Sequence, residues 1–199
     1  MLPNTGEVRG NHVLGRRISE LCQDKKYKVY VETGAKNGDG STVCFLSQLL
    51  KREDDSKLYS LETNKTFYKN AQRNLKDVPE DKLALLWGSL VSYDELPDWE
   101  TWNNNKKESY LYNVDMKDAP VVYDQIPDEV DVLLLDSGGW SRQSEWDKMK
   151  DHIKVILLDD THGSTMKIRK EIIESGDWVV EDYVHDRAGT LCAIRKTSM

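Results

Sequence analysis

Lys28 to Thr42 reads KVYVETGAKNGDGST, an apolar strand that ends on an acid, passes through a glycine-rich turn and opens a helix. Tyr30 and Val31 supply the aromatic and β-branched character of a buried strand, and Glu32 closes it. Gly34, Gly38 and Gly40 follow, residues that let the backbone take positive φ and approach a ligand with no Cβ in the way. Ser41 and Thr42 are good N-cap residues for the apolar run Val43, Phe45, Leu46, Leu49 and Leu50, so a helix is predicted from there to about Arg52.

The same pattern recurs along the chain. Strands are predicted at Lys57–Leu61, Leu83–Trp87, Val130–Leu135 and Val155–Leu158, with helices between them. Trp178–Tyr183 and Thr190–Ile194 read as a terminal hairpin turning through Asp186, Arg187, Ala188 and Gly189. An amphipathic helix at Val13–Cys22 precedes the first strand. Alternating strands and helices imply a mainly parallel sheet, which binds ligands outside the carboxyl ends of its strands. Glu32, Glu62, Asp136, Asp159 and Asp160 all occupy such ends, and acids crowded on one edge of an acidic protein repel unless hydroxyls, ammonium groups or cations meet them. Glu62 stands where a nucleoside-binding unit puts an acid on ribose hydroxyls. Asp136, Asp159 and Asp160 form an oxygen cluster of the kind that holds Mg²⁺, Mn²⁺ or Ca²⁺. Their other reading is that Asp136 holds substrate while the pair caps the next segment.

Length and composition narrow the class. The 199 residues with 38% apolar content bury one full core and fit one domain, 1–199. A net charge of −7 argues against a nucleic-acid backbone as partner. With no apolar run of membrane-spanning length and no secretory leader pattern, a soluble, cytoplasmic protein with no membrane partner is expected. Cys22, Cys44 and Cys192 are widely spaced in apolar contexts and read as buried thiols. Residues 92–128 read as an irregular, polar stretch carrying Trp99, Trp102, Tyr110, Tyr112 and Tyr123, an insertion over the site whose rings suit sugars or aromatic acceptors, or equally a packed subdomain.

The glycine order separates two nucleotide-binding patterns. A dinucleotide fingerprint is G-x-G-x-x-G, whereas Glu32-x-Gly34-x-x-x-Gly38 resembles the first motif of the class I S-adenosylmethionine-dependent methyltransferases. The resemblance spans about residues 10–195 and implies a Rossmann-like three-layer α/β/α sandwich with a seven-stranded, mostly parallel sheet whose last strand is antiparallel. It implies S-adenosyl-L-methionine as cofactor, held by Glu32, the turn Gly34 to Gly40, Ser41, Glu62, Gly88, Ser89 and Asp136. Metal-dependent O-methyltransferases of catechols, caffeoyl thioesters and macrolide sugars carry an Asp after strand four and an Asp-Asp or Asp-Asn pair after strand five on one divalent ion; Asp136, Asp159 and Asp160 stand at those positions, implying Mg²⁺ or Mn²⁺. A cation there would lower the pKa of an acceptor hydroxyl.

The sequence also departs from that family. The catechol enzymes have a lysine base three residues after the fourth-strand acid, and the macrolide sugar enzymes often a second acid two residues after it; this chain has Gly139 and Gly138. His162 is then the nearest candidate base beside Asp136, although a histidine after a strand is commonly a structural hydrogen-bonder; His12, His152 and His185 suggest no ligand set. The resulting expectation is an O-methyltransferase of a small acceptor, a sugar or glycan, in a possible homo-oligomer. The alternatives are a nicotinamide-dependent oxidoreductase, disfavoured by the glycine order, and a non-catalytic binding module on the same scaffold.

Overall fold

The computed structural model describes residues 2, 5–102, 106–184 and 188–196. Its elements in chain order are α1 (Val13–Gln23), β1 (Val29–Thr33), α2 (Ser41–Leu49), β2 (Lys57–Glu62), α3 (Lys65–Asn74), β3 (Leu83–Trp87), α4 (Trp99–Trp102), α5 (Lys106–Asp118), β4 (Val130–Leu135), α6 (Arg142–Met149), β5 (Ile153–Asp159), α7 (Met166–Ser175), β6 (Trp178–Val184) and β7 (Thr190–Arg195). The seven strands form one sheet in the order β3-β2-β1-β4-β5-β7-β6. β1 pairs in parallel with β2 and β4, while β7 runs antiparallel to both β5 and β6. The expected three-layer sandwich with its reversed last strand is therefore the architecture, with helices covering both faces.

Strand alternation divides the core in two. Tyr30 of β1 and Val132 and Leu134 of β4 pack with Ile18 of α1 and with Phe45, Leu46 and Leu49 of α2. Val31, Leu133 and Leu135 face the other layer, with Trp146 and Met149 of α6 and Ile168 and Ile172 of α7. β4 is buried along its whole length, as a central parallel strand covered on both faces must be. The chain reverses its order of winding between β1 and β4, and a crevice opens outside the carboxyl ends of these two strands.

Two local expectations are corrected. Gly40, not Ser41 or Thr42, is the N-cap of α2, because both hydroxyls turn instead to Glu32. Residues 92–128 are not irregular: α5 supplies more than three turns, and its Met116 and Asn113 are buried, so packing imposes a helix that the polar sequence hides. Trp99 packs edge-on against Trp140 at 4.7 Å, as does Tyr93 at 5.5 Å, so part of the aromatic content serves the core. The hairpin residues Asp186 and Arg187, together with His185, lie outside the described residues, as does the side chain of Tyr110. Cys22, Cys44 and Cys192 are buried free thiols. Among the described residues no helix is long and apolar enough to cross a membrane.

Candidate active site

Two adjoining cavities occupy the crevice. The inner one, ≈ 190 Å³, is lined by Gly34, Glu62, Gly88, Ser89 and Asp136 among others, five of the residues singled out in the sequence. Gly34 has φ of +90°, and a Cβ there would lie 2.4 Å from the carbonyl oxygen of Asp136. Only glycine lets β1 and β4 leave the sheet this close together. Glu62 is buried at the end of β2; its Oε2 accepts the backbone N–H of Lys36 and its Oε1 that of Asn64, both at 2.7 Å. Burial outweighs these two donors and pushes its carboxyl up to about 7. Asn64 caps α3 through its Oδ1 and donates through Nδ2 to both oxygens of Asp115 on α5, closing the side of the cavity.

Glu32, Gly38, Gly40 and Ser41 do not line this cavity. Glu32 lies on the Tyr30 face of β1 and is fully buried against the start of α2, where its carboxylate accepts hydroxyl hydrogens from Ser41, Thr42 and Ser60 at 2.5–2.7 Å. It fixes the glycine turn from behind. Thr33, one residue on, faces the opposite layer and donates to Glu145 on α6. Glu145 also accepts from Ser137 and Ser141, and Ser141 shares a 2.6 Å hydrogen bond with the Tyr112 hydroxyl. Burial raises both Glu145 and Tyr112 above their ordinary ranges.

The outer cavity, ≈ 540 Å³, shares Lys36, Tyr112, Asp136, Ser137 and Gly138 with the inner one and adds Glu7, Trp102, Gly139, Arg142, Asp160 and Ser164. Lys36 and Asp160 have φ of 49° and 59°, and they are the only non-glycine residues with positive φ among the described residues. Such strain gathers where a site demands a particular side-chain position. Gly138 and Gly139 sit where no side chain would fit. A Cβ on Gly138 would lie 2.5 Å from the Tyr112 ring, and one on Gly139 2.7 Å from Cβ of Ser164.

Arg142, the first residue of α6, fills the place expected for a metal. Its Nη2 donates to Oδ1 of Asp136 at 3.2 Å, and its Nη1 to Oδ2 of Asp160 at 3.1 Å. The guanidinium is also anchored on the carbonyl oxygens of Ser137 and Asp159 and on Oγ of Ser164. Among the described residues no three His, Cys, Asp or Glu side chains are arranged to hold a metal ion. Arg142 bridges the carboxylates of Asp136 and Asp160 and takes only the backbone carbonyl of Asp159, so the expected Mg²⁺ or Mn²⁺ does not fit this donor set. Burial holds the Asp136 carboxyl up, to about 8, against the pull of Arg142 and with the push of Asp159 and Asp160. His162 is exposed, its ring centroid lies 6.0 Å from that of Tyr183, and it lines neither cavity.

Sequence reasoning missed Arg142, Glu145 and Lys36. A signal existed for the first two: Arg142, Glu145, Trp146 and Met149 fall at i, i+3, i+4 and i+7, one face of α6, and that face is buried.

No family model matches the sequence, and no curated protein does. Solved structures do match in fold. An O-methyltransferase from Bacillus cereus, in complex with S-adenosylhomocysteine, superposes with a TM-score of 0.65 at 11% identity over 97% of this chain and 85% of that one. The O-methyltransferase TomG from Streptomyces achromogenes, involved in tomaymycin synthesis and bound to S-adenosylmethionine, gives 0.60 at 11% identity over 92% and 79%. A precorrin-6y C5,15-methyltransferase from Geobacter metallireducens gives 0.61 at 13% identity over 98% and 95%. The fold is thus that of the class I S-adenosylmethionine-dependent methyltransferases.

Proposed function

We propose that this chain transfers a methyl group from S-adenosylmethionine to an oxygen of a small acceptor. The observation that carries the reading is one inner cavity bounded by Glu62 at the end of β2 and Asp136 at the end of β4, opening directly into a second cavity of a different character. Ionised Glu62 accepts the two ribose hydroxyls, and Leu90, Ser89 and Phe67 border the space for the base. The methionine end runs past Gly34 towards Asp136 and Lys36. Its sulfonium then lies at the junction of the cavities, where acids favour a cation.

Transfer is an in-line displacement. The acceptor oxygen forms the new bond to the methyl carbon, the carbon–sulfur pair returns to sulfur to leave a neutral thioether, and the hydroxyl proton leaves to Asp136, whose raised carboxyl range suits a base near neutral pH. Trp102 and Tyr112 are the rings that line the outer cavity, a fit for a small ring-bearing acceptor. A sugar, as the sequence suggested, and a phenol both satisfy that description. Incubation with radiolabelled donor and a panel of sugars, catechols and simple phenols tests the reading. One labelled, oxygen-methylated product is expected. No labelled product across the panel, with the donor binding tightly, would favour a binding module instead.

A further inference from the structure

We propose that Arg142 is the built-in cation of this site, so that methyl transfer needs no divalent metal; the inference rests on the methyl-transfer reading above. The guanidinium has five N–H groups in a fixed fork. Nε–H goes to the Ser137 carbonyl, the two Nη1 hydrogens are shared among Asp159 O, Asp160 Oδ2 and Ser164 Oγ, and one Nη2 hydrogen goes to Asp136 Oδ1. The second Nη2 hydrogen meets no acceptor among the described residues, while Arg142 lines the outer cavity. One donor is therefore left for a ligand oxygen in the outer cavity.

The arginine is held rather than merely present. Its side chain is 5% exposed, and its anchors include two backbone carbonyls that cannot rotate away. A divalent ion drawn to the same carboxylates would meet a fixed like charge in a poorly solvated place. A guanidinium differs from a metal in what it supplies. It orients an oxyanion and stabilises it through a charge-assisted hydrogen bond, but it polarises a neutral alcohol far less than a bound Lewis acid does. The acceptor oxygen is then an acidic one, a phenol or a carboxylate; Lys36 on the same wall is already paired with Glu7, which leaves Arg142 as the cation that meets it.

Manganese paramagnetic resonance tests this directly. With the wild-type chain, alone and with S-adenosylhomocysteine, the signal of free Mn²⁺ is expected to be undiminished, and methyl transfer to a phenolic acceptor is expected to be the same in EDTA as in Mg²⁺. Arg142→Lys keeps one charge without the fork; it is expected to keep the cofactor affinity and lose rate by roughly tenfold or more, as for a misaimed oxyanion donor. Arg142→Ala, if folded, is expected to take up Mn²⁺ between the freed carboxylates. Uptake of one Mn²⁺ per wild-type chain that Asp160→Asn abolishes would overturn the proposal. Failure of S-adenosylhomocysteine to bind would defeat the methyl-transfer reading, while the manganese result on the unliganded chain would still decide what occupies the acid cluster.

Discussion

The two cavities obey different rules. The inner one is built mainly at strand ends: Gly34, Glu62, Gly88 and Ser89 are put in place by the order and register of β1, β2 and β3, with Tyr112 and Asp115 of α5 and Glu145 of α6 completing the wall. The outer one is built from side chains that α5, α6 and the segment after β5 deliver from elsewhere in the sequence, namely Tyr112, Arg142, Asp160 and Ser164. A site for a common ligand can be specified by topology, whereas a site for a particular acceptor requires individual side chains.

Variants of each half should therefore fail in different ways. The largest effect is expected from Arg142→Met. It leaves Asp136 and Asp160 without their shared cation and should cost about 2–4 kcal/mol of stability, allowing for the partial exposure of Asp160. Urea denaturation measures it, and an unchanged midpoint would mean that the arginine is not the partner these acids depend on. Glu62→Gln removes the charged acceptor of the inner cavity and should weaken S-adenosylhomocysteine by roughly 10- to 100-fold, the scale of a charge-assisted hydrogen bond, with acceptor KM little altered. If acceptor KM changed as much, the division into two halves would be lost.

A pH series sharpens the same contrast. Glu62 has its carboxyl raised to about 7, and the ribose hydroxyls require the ionised form. Affinity for S-adenosylhomocysteine should thus fall by about tenfold from pH 8 to pH 6 in the wild type and stay flat in Glu62→Gln. The unliganded chain should show the opposite trend. The folded state keeps a proton that the unfolded state has lost between the ordinary glutamate range and about pH 7, so stability drops as pH rises through that window. The smallest effect is expected from His162→Ala, under about twofold on turnover, because the residue lines neither cavity.

How far the sequence could be read follows the same line. Hydrophobic runs with acids at their ends were enough for the strands and for placing Gly34, Glu62 and Asp136 at their ends, while the reversed last strand of the sheet came from the resemblance to the methyltransferase fold. The hydroxyl partners of Glu32 were not read, because a strand end has two faces. Alternation from Tyr30, which packs on α2, would have turned its carboxylate towards Ser41 and Thr42 rather than the ligand. Three acids after β4 and β5 read as a metal cluster because their partner lies on another element, and Arg142 announces itself only when α6 is seen to bury a polar face. The helix α5 was read as loop for a related reason: few apolar residues mark it, and its order comes from tertiary packing.

Calorimetric titration of the unliganded chain with S-adenosylhomocysteine, and separately with NAD, in buffer containing EDTA, bears most directly on the inner cavity. Saturable binding of one S-adenosylhomocysteine per chain, lost or much weakened in Glu62→Gln, with no heat from NAD, is the predicted result. Absence of S-adenosylhomocysteine binding, or equal affinity in Glu62→Gln, would contradict it.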